Sequence, residues 1–87
     1  GRGKAVSRFL DEVAAELELA QRRYSPFASA HEGESVLREE FEELVAWVRV
    51  KPERRDPAKM RRECIQIAAM AARFAAEVCD TGLANER

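Results

Sequence analysis

The residues with the clearest capacity for chemistry are glutamates that fall on apolar helix faces. Glu40 and Glu43 lie three residues apart on the edge of a predicted apolar stripe, which Val36 and Trp47 continue at either end. Glu63 falls inside the apolar stripe of the next predicted helix. Because burial of an unpaired carboxylate is costly, each of these acids must be paired, protonated or bound to a cation.

Three interpretations of Glu63 are open on these grounds. An arginine of the first predicted helix, Arg8 or Arg22, could form a salt bridge with it. The carboxyl group could instead be protonated and hydrogen-bonded. In the third interpretation, Glu63 converges with Glu40 and Glu43 on a divalent cation.

The spacing favours the cation. Glu40 and Glu43 are an i,i+3 pair of acids, and Glu63 and Gln66 are an i,i+3 acid and amide on the following helix. Four such oxygen ligands across a groove between helices suit Mg²⁺ or Mn²⁺. A zinc site is not indicated, because the sequence has a single histidine and two distant cysteines.

Helical periodicity positions these side chains. Apolar residues recur at steps of three and four in three segments, at about residues 4–23, 33–50 and 57–79. No segment alternates apolar and polar residues as a strand would. The sequence therefore predicts one all-α domain over residues 1–87, a three-helix protomer with a frayed tail at 80–87.

The third predicted helix carries more apolar surface than the other two helices of so short a chain can bury. From Cys64 to Val78 its residues are apolar or small nearly all round, and such a helix is buried on more than one side. An 87-residue chain builds only a small core. We therefore expect a homodimer or higher homo-oligomer, with a second copy against the alanine-rich face.

The charge balance argues against two classes of partner. Fifteen Lys and Arg residues against sixteen Asp and Glu give a net charge of −1, so there is no positive field to attract nucleic acid or an anionic membrane. No apolar run approaches the ~20 residues of a membrane span, and the first residues lack the apolar run of a signal peptide. We expect a cytoplasmic protein without nucleic-acid or membrane partners.

The two acidic segments together resemble a known family. Residues 39–44 read EEFEEL, and residues 63–66 read ECIQ after nineteen intervening residues from Glu43 to Glu63. This pairing resembles EExxE followed by ExxD, the metal-binding signature of the MazG-like all-α nucleoside triphosphate pyrophosphohydrolases. Residues 31–33 and 66–71 resemble a small MazG-related branch, and the similarity covers about residues 30–80.

The resemblance implies a helical bundle completed by dimerisation and Mg²⁺-dependent hydrolysis of a nucleoside triphosphate to monophosphate and pyrophosphate, of the house-cleaning type. Its metal ligands in this sequence would be Glu39, Glu40, Glu43, Glu63 and Gln66. Either Glu39 or Glu43 would orient the attacking water.

The final Asp of the family signature is Gln66 here. Because a neutral amide removes one negative charge, we expect weaker metal binding and a weaker attack on phosphorus. Lys59, Arg62 and Arg73 lie towards the Gln66 side of their helix and are candidates to contact the phosphates. The alternative is a MazG-like helical dimer that has lost the reaction and binds a nucleotide or another protein.

Overall fold

The computed structural model describes residues 1–86, and every regular element among them is helical. The elements are α1 (Arg2–Arg23), α2 (Ala30–Arg49), α3 (Pro57–Phe74), a π-helical turn that continues α3 (Ala75–Cys79), and two short 3-10 turns (Pro52–Arg54 and Leu83–Asn85). The prediction of an all-helical chain with three helices is confirmed. None of the described helices is long and apolar enough to cross a membrane.

Side-chain caps decide where α2 and α3 begin. The Asp56 carboxylate, directly before Pro57, accepts from the backbone N–H groups of Ala58 at 3.0 Å and Lys59 at 3.2 Å. Helix α2 begins at Ala30, three residues before the predicted start at about residue 33.

The earlier start of α2 has a local cause. The Ser29 hydroxyl accepts from the N–H of Glu32 at 3.0 Å, while the Glu32 carboxylate accepts from the N–H of Ala28 at 3.0 Å. This arrangement resembles a capping box, and it satisfies one free N–H of the first turn, that of Glu32, and the N–H of Ala28 just before the helix.

Part of the predicted frayed tail has regular structure. Leu83–Asn85 form a 3-10 turn, and Leu83 packs against the edge of the core. Gly82 precedes this turn with a φ of 82°, a left-handed conformation that glycine adopts readily. Arg87 lies outside the described residues.

Helix α3 is the central element, and α1 and α2 each pack mainly against it. The buried apolar residues come from α1, from the loop between α1 and α2, and from α3 with its π-helical continuation: Val13, Ala20, Phe27, Ala69, Met70 and Val78. The core is therefore small, as the chain length predicts.

A buried ion pair fixes the α1–α2 loop against the end of α3. The Arg73 guanidinium is only 3% exposed and donates to both carboxylate oxygens of Glu77, at 3.0 and 3.1 Å. It also donates to the carbonyl oxygen of Ser25 at 3.2 Å and lies 4.1 Å from the ring centroid of Phe27. The Phe27 N–H donates to Glu77 at 2.9 Å, so one ion pair holds the loop from both sides.

Gly33 marks a close approach between α2 and the end of α3. A Cβ atom at this position would lie 2.7 Å from a ring carbon of Phe74 and 3.1 Å from a ring carbon of Phe27. Gly33 is itself buried. The packing of the first turn of α2 therefore requires a residue without a side chain.

The alanine-rich face of α3 and its continuation is open in the single chain. Ala71, Ala75 and Ala76 are exposed, and Ala68 and Ala72 are half-buried. Two helices thus leave part of the third uncovered.

Candidate metal centre

Three glutamates meet where α2 packs along α3. Glu40 and Glu43 come from α2 and Glu63 comes from α3, and one carboxylate oxygen of each lies within 4.8 Å of the other two. Glu40 and Glu63 are half-buried, whereas Glu43 is more exposed. The structure thus brings together three of the five residues that the sequence suggests as metal ligands.

Glu63 has no cationic partner within the described residues. Its Oε2 atom is buried and accepts no hydrogen bond from any of them. Arg22, one of the two partners considered from the sequence, lies instead 3.9 Å from Glu18 on α1. The charge of Arg8, the other one, acts on Glu12. The salt-bridge interpretation of Glu63 is therefore wrong.

The crowding of acids changes how the cluster binds protons. A hydrogen bond with Glu43, burial, and the negative charges of Glu43 and Glu40 raise the pKa of Glu63 to about 7. Burial, followed by the charges of Glu43 and Glu39, raises the pKa of Glu40. When Glu63 is protonated, it can donate a hydrogen bond to Glu43. When Glu63 is ionised, no hydrogen-bond donor contacts its buried Oε2 atom.

The donor set fits a hard divalent cation. Three carboxylates from two helices offer oxygen ligands only, and one of their oxygens is buried without a hydrogen bond. Mg²⁺ and Mn²⁺ take oxygen ligands of this kind, and a cation would replace the proton that the cluster otherwise retains.

The other two suggested ligands lie beside the cluster. Glu39 is exposed on α2, and its charge contributes to the raised pKa of Glu40. Gln66 is half-buried on α3, one turn beyond Glu63, and its amide nitrogen donates a hydrogen bond to Glu16 of α1.

Glu16 is a residue that the sequence analysis missed. It follows Val13 by three residues and precedes Ala20 by four, and both of these residues are buried. Glu16 therefore lies on the same face of α1 as two core residues. The signal that singled out Glu63 was present here as well, because an acid again falls in an apolar stripe.

The three basic residues proposed to contact phosphates have different surroundings. The Lys59 ammonium lies 5.4 Å from the ring centroid of Trp47. Arg62 is exposed, and its charge acts on Glu63 and lowers the pKa of that residue slightly against the larger opposing effects. Arg73 is held in the buried ion pair with Glu77, so its donors already have partners.

A cavity of about 450 Å³ opens next to the cluster, between the three helices and the α1–α2 loop. Glu40 and Gln66 contribute to its wall, as do the aromatic residues Tyr24 and Phe27. Arg23, which the sequence analysis did not single out, also lines it. Its volume is within the range of small-molecule binding sites.

Comparison with protein families, with curated proteins and with solved structures finds no match to this chain. The resemblance to MazG-like proteins therefore depends on the short segments in which the acidic motif lies.

Proposed function

We propose that the protein is a Mg²⁺-dependent nucleoside triphosphate pyrophosphohydrolase of the MazG-like type. The observation that carries the proposal is the meeting of Glu40, Glu43 and Glu63 across the α2–α3 groove, with the buried Oε2 atom of Glu63 accepting no hydrogen bond. They are three of the five residues that match the metal-binding signature of the resemblance. The adjacent cavity of about 450 Å³ offers room for a nucleoside.

The reaction requires one water molecule. Its oxygen forms a bond to the α-phosphorus, the bond from the α-phosphorus to the bridging oxygen breaks, and pyrophosphate leaves. A carboxylate takes the proton of the water, and Glu43 or Glu39, one turn apart on α2, would orient the water and accept that proton. Glu40, Glu43 and Glu63 would hold the divalent cation, which when bound offsets the charge of the phosphates.

The cavity supports a nucleotide as the substrate. Tyr24 in its wall is exposed and gives an aromatic surface against which a base can stack. Arg23 in the wall and Arg62 beside Glu63 carry positive charge towards the space that the phosphates would occupy. Arg73 has a different role in this proposal, because it shapes the wall through its ion pair with Glu77.

The assay is release of pyrophosphate from canonical and modified nucleoside triphosphates with Mg²⁺ or Mn²⁺. We expect turnover by the wild-type protein and none by Glu63→Gln, which removes a charge from the centre of the cluster. The matched control is Glu53→Gln, an exposed acid in the Pro52–Arg54 turn, and it should retain full activity.

Melting with and without Mn²⁺ separates the two parts of the proposal. A cation that binds only the folded chain must raise the melting midpoint, by the equivalent of about 2.7 kcal/mol at a hundredfold excess over Kd. A raised midpoint without pyrophosphate release from any substrate would contradict the enzyme but leave the metal centre. An unchanged midpoint would contradict both.

A second candidate function is favoured by Gln66. Its amide is bonded to Glu16 and carries no charge of its own, which suits a scaffold that has lost the reaction and binds a nucleotide or a protein. Gain of activity in Gln66→Asp from an inactive parent would support this alternative.

The exposed alanines of α3 support a homodimer as the working form. A second copy on this face would cover apolar surface that α1 and α2 leave open. Light scattering tests this expectation, and a mass equal to the 9.8 kDa of one chain at working concentration would contradict it.

A further inference from the structure

The hydrogen bond between Gln66 and Glu16 connects α3 to α1 at the wall of the cavity, across fifty residues of sequence. An ionised carboxylate can only accept hydrogen bonds, whereas an amide has a donating nitrogen and an accepting oxygen. Glu16 therefore bonds the amide nitrogen of Gln66. The amide oxygen is the atom that remains available to another partner.

Glu16 also brings a negative charge towards the metal centre. It lines the same cavity as Glu40, one of the three clustered glutamates. Glu16 thus brings a carboxylate from a third helix, α1, into the cavity beside the cluster of Glu40, Glu43 and Glu63. The charge that is missing at position 66 is present on its hydrogen-bond partner.

Helix pairing alone does not account for this arrangement. One turn earlier on α1, Glu12 forms an ion pair with Arg61 of α3, which connects the same two helices with opposite charges. At Glu16 the partner is a neutral amide, which offers no opposite charge. A contact that served only to join α1 to α3 would gain from a base at position 66.

We infer that Glu16 is a positioning residue of the metal centre, which orients the Gln66 amide with its oxygen towards a divalent cation and supplies the negative charge that Gln66 lacks. The inference rests on the proposed function, because it assigns a role to Glu16 only if Glu40, Glu43 and Glu63 hold a cation. Outer residues that orient metal ligands commonly alter metal affinity by about 10- to 100-fold when changed.

The test is a double-mutant cycle on the full chain, with Mn²⁺ alone as the probe. Calorimetric titration gives the Mn²⁺ affinity of wild type, Glu16→Gln, Gln66→Asp and the double variant. Glu16→Gln keeps the shape of the side chain but removes its charge, and we expect it to weaken Mn²⁺ binding about tenfold or more. The double variant returns a carboxylate to position 66 and should recover most of that loss. Gln66→Asp should have a smaller effect in the wild-type background, where Glu16 already supplies the charge.

Glu12→Gln is the matched control, because it removes another α1 acid that contacts α3. It should leave Mn²⁺ affinity within about twofold of wild type, since Glu12 is paired with Arg61 rather than with the cluster. The melting midpoints of the metal-free proteins distinguish the proposed role of Glu16 from a purely structural one, because the two roles predict shifts of opposite sign. Glu16→Gln should raise the midpoint by relieving repulsion with Glu40, whereas loss of a structural contact would lower it.

Three results would overturn the inference. The first is a Glu16→Gln variant that binds Mn²⁺ with wild-type affinity. The second is a loss of Mn²⁺ affinity in Glu12→Gln as large as that in Glu16→Gln. The third is a double variant that binds Mn²⁺ as weakly as Glu16→Gln. In each case the wild-type protein binds Mn²⁺, so the proposed metal centre stands while the role of Glu16 falls. A wild-type protein that binds no Mn²⁺ refutes the metal centre itself and the role of Glu16 with it.

Discussion

Glu63 and Glu77 lie fourteen residues apart along α3 and its continuation, yet their surroundings are opposite. Glu77 accepts two hydrogen bonds from Arg73 and one from the Phe27 N–H. Glu63 faces Glu40 and Glu43, and its Oε2 atom has no partner. The Glu77 carboxylate thus has a cationic partner, whereas the Glu63 carboxylate lies among other acids and has one buried oxygen without a hydrogen bond.

The pKa values follow the partners. Burial works to raise the pKa of Glu77, but the hydrogen bonds from Arg73 and Phe27 and the charge of Arg73 outweigh it and hold the pKa below its ordinary value. At Glu63 the neighbours act in the same direction as burial, and the pKa rises to about 7. Glu77 therefore stabilises the fold as a paired carboxylate, whereas in the proposed metal centre Glu63 would lose its proton when a cation binds.

The largest expected effect on stability comes from removing the ion pair between Arg73 and Glu77. Arg73→Met leaves Glu77 buried without its counter-charge, and removal of one partner of a buried pair typically costs about 3–5 kcal/mol in the free energy of unfolding. Urea denaturation measures this loss. The matched control is Arg38→Met, since Arg38 and Glu34 form an i,i+4 pair on α2 in which Arg38 is 63% exposed.

We expect Arg38→Met to leave the urea midpoint nearly unchanged, because exposed ion pairs contribute little to stability. Equal destabilisation by Arg73→Met and Arg38→Met would contradict the structural role assigned to the buried pair.

A smaller effect on the melting midpoint is expected when glutamate is replaced by glutamine at position 63 or at position 77, and its sign should differ between the two positions. Without metal at neutral to alkaline pH, Glu63→Gln should raise the melting midpoint, because it removes a charge that has no partner. Glu77→Gln should lower the midpoint, because it removes a charge that Arg73 requires. For a domain of this size each 1 kcal/mol shifts the midpoint by roughly 4–8 °C. A lower midpoint in both variants would show that Glu63 is a structural residue like Glu77.

The smallest effect is the dependence of stability on pH. The pKa of Glu63 is raised in the folded chain from 4.5 to about 7, so between these values the folded chain binds more protons than the unfolded chain. The free energy of unfolding of the metal-free protein should therefore fall as pH rises through this window. Glu77 acts in the opposite sense at lower pH: its contribution is present above its ordinary pKa and is lost as pH falls through the lowered value.

Melting midpoints at about pH 5 and about pH 8 measure the contribution of Glu63, with Glu63→Gln as the reference. The wild-type protein should lose more stability between the two pH values than the variant does. Identical changes in the two proteins would contradict the raised pKa of Glu63.

The sequence predicts the helices and the cluster because both follow from local periodicity. Glu40, Glu43 and Glu63 stand out since acids in an apolar stripe violate a simple pattern, and the cap at Asp56 is likewise local. Helix α2 starts about three residues before the position that the periodicity predicts, because the hydrogen bonds of Ser29 and Glu32 extend it towards the N-terminus.

Two features depend on contacts between residues far apart in the chain. The pairing of Arg73 with Glu77 is an i,i+4 spacing and could have been read from the sequence, but its link to Ser25 and Phe27 could not. The periodicity places Arg73 on the Gln66 side of its helix, but it shows neither the contacts with Ser25 and Phe27 nor the position of Arg73 in the cavity wall. Glu16 lies in the apolar stripe of α1, yet its partner is fifty residues away.

Gly33 also affects the position of the helix that carries Glu40 and Glu43. It lies on the face of α2 that meets α3, and Glu40 follows on that face after seven residues, about 10 Å along the helix axis. The backbone at Gly33 lies against the rings of Phe27 and Phe74, so a side chain at this position would require α2 or the rings to move. Because Glu40 and Glu43 are carried by the same helix, a movement of α2 would also change their distances from Glu63 on α3.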